Sequence, residues 1–293
     1  MDQAQQLRNV IKKQNQKNIK AARVITITSG KGGVGKSNLA VNLAIQLRKK
    51  GQRVIIFDAD FGLANVEVMF GVIPQYTLSD LIYHGKKIQE IITKGPMDIG
   101  FISGGSGVLG LNNLNREQIM LLVKSIGELN EYADVIIIDT GAGVSDQVLE
   151  FVLASPEVLM VTTPDPSSLT DSYSLLKAMY RNPNFIKDGT TIHVVANKVQ
   201  SAGEGRMVYD KLRSVVDQFL DGELSYLGMI PQDTALERSV RQQKTVSLHE
   251  PDSNASKAFE VLAINLLEGT HNEVQMHRGI AQIFSHLLNR KNI

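Results

Sequence analysis

Residues 30–37 read Gly30-Lys31-Gly32-Gly33-Val34-Gly35-Lys36-Ser37, an octet that identifies the architecture of the surrounding chain. It has the form G-x-x-x-x-G-K-S of a loop whose backbone N–H groups surround the phosphates of a nucleotide. In such a loop Lys36 reaches the β and γ oxygens, and the Ser37 hydroxyl contacts Mg²⁺. The glycines avoid a Cβ where the backbone must turn or approach phosphate closely. The octet, with Asn38 directly after it, therefore predicts a nucleotide-binding site.

The residues on either side of the octet have the order that such a loop requires. Arg23 to Thr28 is a β-branched run of strand length, and Lys36 to Lys50 is predicted to be a helix that ends before Gly51. Its apolar residues recur at helical spacing at Leu39, Leu43 and Leu47. Strand, glycine loop and helix in this order favour a functional loop over a glycine-rich surface turn.

Further apolar runs predict the rest of the fold. Helix-length segments separate most of these runs, and strands this apolar are buried on both faces. The pattern predicts an α/β fold with a mostly parallel sheet flanked by helices, and ligands at the carboxyl ends of its strands. The predicted strands are Val54–Phe57, Ile99–Ile102, Val135–Ile138, Val158–Thr162, Ile192–Ala196 and Leu224–Ile230.

Composition narrows the class of protein. The 293 residues include 43% hydrophobic and 21% charged residues, and the formal net charge of +1 gives no global attraction to nucleic acid or membrane. No apolar run approaches the ~20 residues that cross a bilayer, and residues 1–20 have no signal-peptide pattern, so we expect a cytoplasmic protein. The chain has no cysteine, which excludes disulfides and thiolate-held clusters.

Acidic residues end two of the predicted strands. Asp58 and Asp60 follow the second strand as Asp-Ala-Asp, and Asp139 ends the run Val-Ile-Ile-Ile-Asp. An aspartate at a strand end beside a phosphate loop is typical of a Mg²⁺ site, although an isolated acidic strand end often only caps a sheet. Thr140-Gly141-Ala142-Gly143 follows, and its glycines permit a segment that responds to the terminal phosphate.

Together these motifs resemble the deviant Walker A ATPases of the MinD/ParA class, a SIMIBI-type P-loop family. The resemblance rests on Lys31 in the octet and on the Asp58 to Asn65 segment, which is close to D-x-D-x-G-L-x-N. It implies that Lys31 crosses to the nucleotide of a facing subunit, so that the protein dimerises with ATP. It also implies that Asp60 orients the attacking water and that Asp58 and Asp139 support Mg²⁺.

Base recognition is predicted at two strand ends. Asn197 resembles the asparagine with which this class binds adenine, and Pro231-Gln232-Asp233 resembles its P-x-D loop, with Pro231 and Asp233 beside the base. Asn197-Lys198 also matches the start of the GTPase element N-K-x-D, but residue 200 is Gln where guanine selection needs Asp. The interpretation is adenine, with a simple turn-forming role for Asn197 left open.

The tail, 269–293, is separate from the predicted ATPase domain, 21–268. Its apolar residues follow helical spacing, and basic residues cluster near its end. Packing on the core is the alternative, but the membrane-targeting helix of MinD-type proteins favours reversible binding to the inner face of the cell membrane. The predicted membrane contacts are Met276, Ile280, Ile283, Phe284, Leu287 and Leu288.

The first residues point to one branch of the class. Asp2-Gln3-Ala4 with Leu7-Arg8 resembles the start of the flagellar FlhG (FleN, YlxH) family, and Asp139-Thr-Gly-Ala-Gly143 fits that branch better than D-S-P-A-G. The resemblance implies control of flagellar number and placement, with the polar segment 1–20 binding a partner. Implied partners are the GTPase FlhF and flagellar switch-complex proteins. A disordered extension is the alternative for 1–20.

Two other functions in the same class remain open. A division-site regulator of MinD type would share every nucleotide motif. A ParA-type DNA-partitioning ATPase would need a basic surface, whereas lysine and arginine are scattered along this chain, so DNA is an unlikely partner.

Overall fold

The computed structural model describes residues 21–60, 65–105 and 115–269, in which eight strands form one sheet. The strands are β1 (Arg23–Thr28), β2 (Val54–Ala59), β3 (Thr93–Lys94), β4 (Gly100–Ser103), β5 (Val135–Thr140), β6 (Glu157–Thr162), β7 (Thr191–Val199) and β8 (Ser225–Pro231). The helices are α1 (Lys36–Lys49), α2 (Asn65–Phe70), α3 (Leu78–Tyr83), α4 (Ile88–Ile91), α5 (Arg116–Gly127), α6 (Asp146–Ala154), α7 (Pro166–Arg181), α8 (Ala202–Phe219), α9 (Thr234–Arg241), α10 (Val246–His249) and α11 (Asn254–Glu268).

The strand order explains where a ligand can bind. The order is β3-β4-β2-β5-β1-β6-β7-β8, and every neighbouring pair is parallel except β3 with β4. The chain leaves β1 for β2 on one side and later returns to β6 on the other side. In open α/β sheets, the crevice at such a reversal is where ligands bind, at the carboxyl ends of the strands. The octet begins two residues after β1 and so lies at this crevice.

Helices cover both faces because the central strands are apolar throughout. Ile56 and Ile137 pack in the cluster formed with α1 and α11. Their neighbours Ile55 and Ile136 point the other way, toward the cluster formed with α3, α5 and α6. The alternation of successive side chains along a strand produces this division, and burial on both faces is typical of parallel sheets.

The observed architecture confirms the predicted fold class. Each predicted strand segment is a strand. The first strand and the first helix agree closely with their predicted bounds, since β1 spans Arg23–Thr28 and α1 ends at Lys49. The two-residue strand β3 was not predicted because it is too short to show a hydrophobic period. Within the described residues, no helix has both the length and the hydropathy needed to cross a membrane.

At the opposite end of the sheet an ion pair fixes the last described helix. Arg23 donates to both carboxylate oxygens of Glu157 at 2.7 Å and, through Nη1, to the Leu266 carbonyl at 2.6 Å. His193 Nε2 lies 3.2 Å from Glu157 Oε1. Because Leu266 is in the last turn of α11, this contact attaches the end of that helix to the start of β1, far from the octet.

Candidate nucleotide site

The octet forms the turn between β1 and α1, and two of its glycines have no room for a side chain. A Cβ on Gly30 would lie 2.1 Å from the backbone carbonyl carbon of Asp171 in α7. A Cβ on Gly35 would lie 2.3 Å from Asn197 Nδ2, and Gly35 has a φ of +103°. The loop is therefore enclosed between α7 and the end of β7, which holds its backbone in one shape.

Lys36 lies at the base of the loop with most of its surface buried. Its Nζ donates to the Ser29 hydroxyl at 3.0 Å. Burial lowers the pKa of the Lys36 ammonium, while the negative charges of Asp139 and Asp60 act in the opposite direction. A cation that has lost much of its hydration and faces carboxylates is well placed to bind an anion such as phosphate.

Asp58 and Asp139 stand side by side at the ends of β2 and β5, where the register pairs them directly. Asp139 is fully buried, and burial raises the pKa of its carboxyl to about 6, against the lowering effects of Ser37 and Lys36. Burial, and then the Asp139 charge, raise the pKa of Asp58 well above its ordinary value.

The carboxylate of Asp139 fits a divalent cation. Both of its oxygens are buried, and neither receives a hydrogen bond within the described part of the chain. The Ser37 hydroxyl influences the pKa of Asp139 but does not meet hydrogen-bond geometry. Buried oxygen atoms without donors are costly unless a cation binds them, and carboxylate and hydroxyl oxygens are ligands that Mg²⁺ accepts. Ser37, Asp58 and Asp139 thus lie together, and their binding of Mg²⁺ stays a prediction.

Asp60 lies closer to solvent, at the start of the segment 61–64, which is outside the described residues. Its backbone N–H donates to Asp58 Oδ1 at 3.1 Å, and its Oδ2 accepts from Asn65 Nδ2 at 3.3 Å. Gly141 is the residue opposite, since a Cβ there would lie 3.8 Å from Asp60 Oδ1. The predicted catalytic carboxylate therefore faces the glycine segment that follows β5.

The glycine segment after β5 is hydrogen-bonded to the end of β1 and to the residue directly before the octet. The Thr140 hydroxyl donates to the Ile27 carbonyl at 3.0 Å, and the Gly143 N–H donates to the Ser29 carbonyl at 2.9 Å. A shift in this segment would therefore alter the backbone that carries the phosphate loop.

Lys31 is bound within its own chain. Its Nζ lies 3.1 Å from Asp165 Oδ2 and also donates to the Ser167 hydroxyl. The bond from Lys31 lowers the pKa of Asp165. Sequence reasoning missed Asp165 and Ser167, although the order Asp165-Pro166 at the start of a helix is a recognisable N-cap followed by proline at the first position.

The residues predicted to bind the base have other contacts in this structure. Asn197 Nδ2 donates to the Val34 carbonyl at 2.7 Å, so the amide braces the octet. Asp233 accepts from the N–H of Ala235 at 2.8 Å and of Ala255 at 2.9 Å, which caps α9 and joins it to the start of α11. Pro231 pairs with β7 two residues beyond Asn197. Each polar side chain keeps unused hydrogen-bonding capacity, and their contact with adenine stays a prediction.

A cleft of about 450 Å³ opens on the outer side of the octet. It combines two lysines with two carboxylates and lies beside Lys31. The lining includes Lys31, Gly33, Thr163, Asp165, Lys198 and Glu204.

The predicted membrane residues and the segment 1–20 lie outside the described residues.

Most of the chain matches one known protein family. Residues 20–267 match the ParA family model, whose description is "NUBPL iron-transfer P-loop NTPase". The match covers the octet, the three aspartates and both predicted base-binding segments. The iron-transfer function in that description does not apply to this chain, because the sequence has no cysteine to hold an iron–sulfur cluster.

Several named proteins are similar to most of this chain. The chain is 39% identical to the antiactivator FleN of Pseudomonas aeruginosa, over 82% of this chain and 85% of that protein. It is 37% identical to the flagellum site-determining protein YlxH of Helicobacter pylori, over 98% of both chains. Among solved structures, the cell division ATPase MinD of Pyrococcus furiosus matches with a TM-score of 0.65 and 26% identity, over 84% of this chain and 99% of that one.

Proposed function

The chain belongs to the ParA/MinD family of P-loop NTPases, and within it we propose an ATPase that regulates flagellar number and placement. The observation that supports this function is the 37% identity with a flagellum site-determining protein, which extends over 98% of both chains. That coverage extends beyond the predicted ATPase domain, 21–268, into both end segments of the chain. The lower identity of 26% with a solved MinD places division-site control second.

The protein is an ATPase, and each site residue has a part in binding or hydrolysis. The N–H groups of the octet and the Lys36 ammonium bind the phosphates of ATP. Ser37, Asp58 and Asp139 would hold Mg²⁺, which would neutralise the charge of the phosphates. Asp60, at the mouth of the site, positions the attacking water and accepts its proton. Asn197, Pro231 and Asp233 contact adenine.

ATP-dependent dimerisation is the step that Lys31 controls. In the single copy, Lys31 pairs with Asp165, and their side chains are 41% and 52% exposed. An exposed ion pair contributes only about 0 to 1 kcal/mol, so Lys31 can leave it at little cost. Released, the lysine reaches across the outer cleft to the triphosphate of a facing copy. Two copies then pair only when a terminal phosphate is present.

Membrane and partner binding involve the two ends of the chain. The helix from Met276 to Leu288 docks on the inner face of the membrane, and pairing of two copies raises its avidity by ~10² to 10⁴. Residues 1–20 bind an FlhF-type GTPase or a flagellar switch-complex protein. The apolar period of the tail and the near neutrality of the chain favour this arrangement over DNA binding.

Dimerisation and hydrolysis are tested together by light scattering after size-exclusion chromatography. We expect Asp60→Ala to form dimers with ATP while hydrolysis falls by roughly 10² to 10⁴ fold, and Lys31→Ala to remain monomeric. Lys211→Ala, on the exposed face of α8, is the matched control for loss of a lysine. A Lys31→Ala protein that still pairs with ATP would refute the dimerisation step.

Membrane binding is tested by flotation with anionic liposomes under ATP and under ADP. Leu287→Glu should abolish flotation with ATP, whereas Gln282→Glu, with the same charge change on the polar side of the predicted helix, should retain it. Binding of both variants to DNA but not to liposomes would favour a partitioning ATPase.

The biological role is tested by deleting the gene and counting flagella and septa in single cells. Altered flagellar number with normal septum position supports the proposal. Misplaced septa with normal flagella would identify a division-site regulator instead.

A further inference from the structure

Three carbonyl groups of the octet point away from the phosphate side, and each accepts a hydrogen bond from a side chain. The Lys31 carbonyl accepts from the Ser29 hydroxyl at 2.7 Å. The Gly33 carbonyl accepts from Lys198 Nζ at 2.9 Å, and the Val34 carbonyl accepts from Asn197 Nδ2 at 2.7 Å. Two of the three donors therefore come from adjacent residues at the end of β7.

The direction of a carbonyl fixes the direction of the next N–H. In a trans peptide unit these two groups point in opposite directions because the unit is planar. When Gly33 and Val34 have their carbonyls held toward β7, the N–H groups of Val34 and Gly35 must point the other way, into the phosphate site. Binding of phosphate by such a loop depends on this orientation.

The backbone at Lys198 is built so that both donors reach the loop. Successive side chains of a strand point to opposite faces, so an ordinary strand would direct only one of the pair toward the octet. Lys198 has a φ of +58°, and the pairing of β7 with β8 skips it, running from Asn197 to Val199. It is thus the extra residue of a β-bulge, a device that redirects a side chain near functional sites.

This conformation is unfavourable for lysine. A positive φ brings the Cβ of a residue such as lysine close to its own backbone, and residues in this conformation persist where the surrounding structure requires them. Asn197 stabilises the turn, since its Oδ1 accepts from the Lys198 N–H at 2.8 Å. A glycine would adopt this backbone without strain but could not supply the ammonium group.

We propose that Lys198 is a positioning residue for nucleotide binding, which orients the octet's N–H groups toward the β-phosphate through its bond to the Gly33 carbonyl. The inference rests on the proposed nucleotide site and adds a residue that acts without touching the nucleotide. Lysine at this position therefore has a role separate from base recognition by Asn197.

The test measures the binding of pyrophosphate, ADP and adenosine to Lys198→Met by isothermal titration calorimetry with Mg²⁺ present. Methionine has a similar reach but no donor. We expect affinity for pyrophosphate and ADP to fall about three- to tenfold, as for loss of one charged hydrogen bond at a partly exposed site. Adenosine affinity should change less than twofold. Lys198→Arg, which keeps a charged donor, should restore most of the pyrophosphate affinity.

Controls separate positioning from charge and from folding. Lys211→Met removes the same charge from α8 and should bind pyrophosphate like wild type. Lys198→Gly relieves the strained φ, so it should fold at least as well as wild type while showing the same loss of pyrophosphate affinity. Unchanged pyrophosphate binding by both Lys198→Met and Lys198→Gly would overturn the proposal. Equal losses for adenosine would assign Lys198 to the base instead.

If wild type itself bound neither pyrophosphate nor ADP, the nucleotide site would be wrong, and Lys198 would lose its role with it. Wild-type binding with no effect of Lys198 would refute only the positioning role. The two failures are therefore distinguishable in one set of titrations.

Discussion

Replacing Asp139 by asparagine should make the free energy of unfolding fall less steeply as the pH rises. Asp139 is fully buried at the end of β5, and its carboxylate oxygens receive no hydrogen bond from the described residues. In the unfolded chain the same carboxyl is hydrated and ionises readily. Ionisation in the folded protein places a charge in the interior that the Lys36 ammonium only partly offsets, which favours unfolding until a further cation binds there.

The magnitude follows from the pKa of Asp139, which burial raises from 3.8 to about 6. As the pH rises above 3.8 the unfolded state loses its proton first, so the folded state loses stability until the pH passes about 6. At pH 8 this amounts to about 3 kcal/mol, of which roughly half is lost between pH 5 and pH 8. Asparagine does not ionise, so this dependence should vanish in the variant.

The assay is urea unfolding of wild type and Asp139→Asn at pH 5 and pH 8, without Mg²⁺ and nucleotide. The free energy of unfolding of the variant relative to wild type should rise by about 1 to 2 kcal/mol between the two pH values. Asp188→Asn, at an exposed turn, is the matched control and should show no such change. The same pH trend in wild type and Asp139→Asn would refute the buried, unpaired state of this carboxylate.

Three further predictions concern residues around the site and at the opposite end of the sheet. Gly30→Ala should lower the free energy of unfolding by about 1 to 3 kcal/mol in urea, because the new methyl group would overlap the α7 backbone. Arg23→Met should cost about 2 to 3 kcal/mol by leaving Glu157 without its main partner, less than a fully buried pair because the Arg23 side chain is 26% exposed. Asp165→Asn should change the free energy of unfolding by less than about 0.5 kcal/mol, since its pair with Lys31 is exposed and asparagine also caps helices.

Much of the fold could be predicted because its signals are local. The apolar strands are buried on both faces, so each appears in the sequence as an uninterrupted run, and the octet specifies the order of strand, loop and helix. The short strand β3 was not predicted, because its pairing with β4 depends on a neighbour in the sheet and not on its own sequence. The predicted strand end at Ile138 also stopped short of Thr140, since polar residues there continue the ladder.

The candidate site was predictable where a motif states the chemistry and not where the fold brings distant segments together. Ser37, Asp58 and Asp139 belong to known patterns, and register places the two aspartates side by side. Asp165 lies 134 residues after Lys31, and nothing local announces their contact. The left-handed backbone of Lys198 is likewise invisible in sequence, because lysine is not a residue that signals a positive φ.

Asp139 and Lys198 share a physical consequence for the ATPase cycle. A buried carboxylate without donors and a lysine in a left-handed backbone both weaken the fold of the protein without ligand. Ligands that bind only the folded state stabilise it by mass action, most strongly where they remove such costs. Mg²⁺ requires ionised carboxylates, so its affinity should rise with pH through about 6, the range in which apo stability falls. Because the glycine segment is hydrogen-bonded to Ser29 and the end of β7 to the octet, a ligand bound at the octet should stabilise the three segments together.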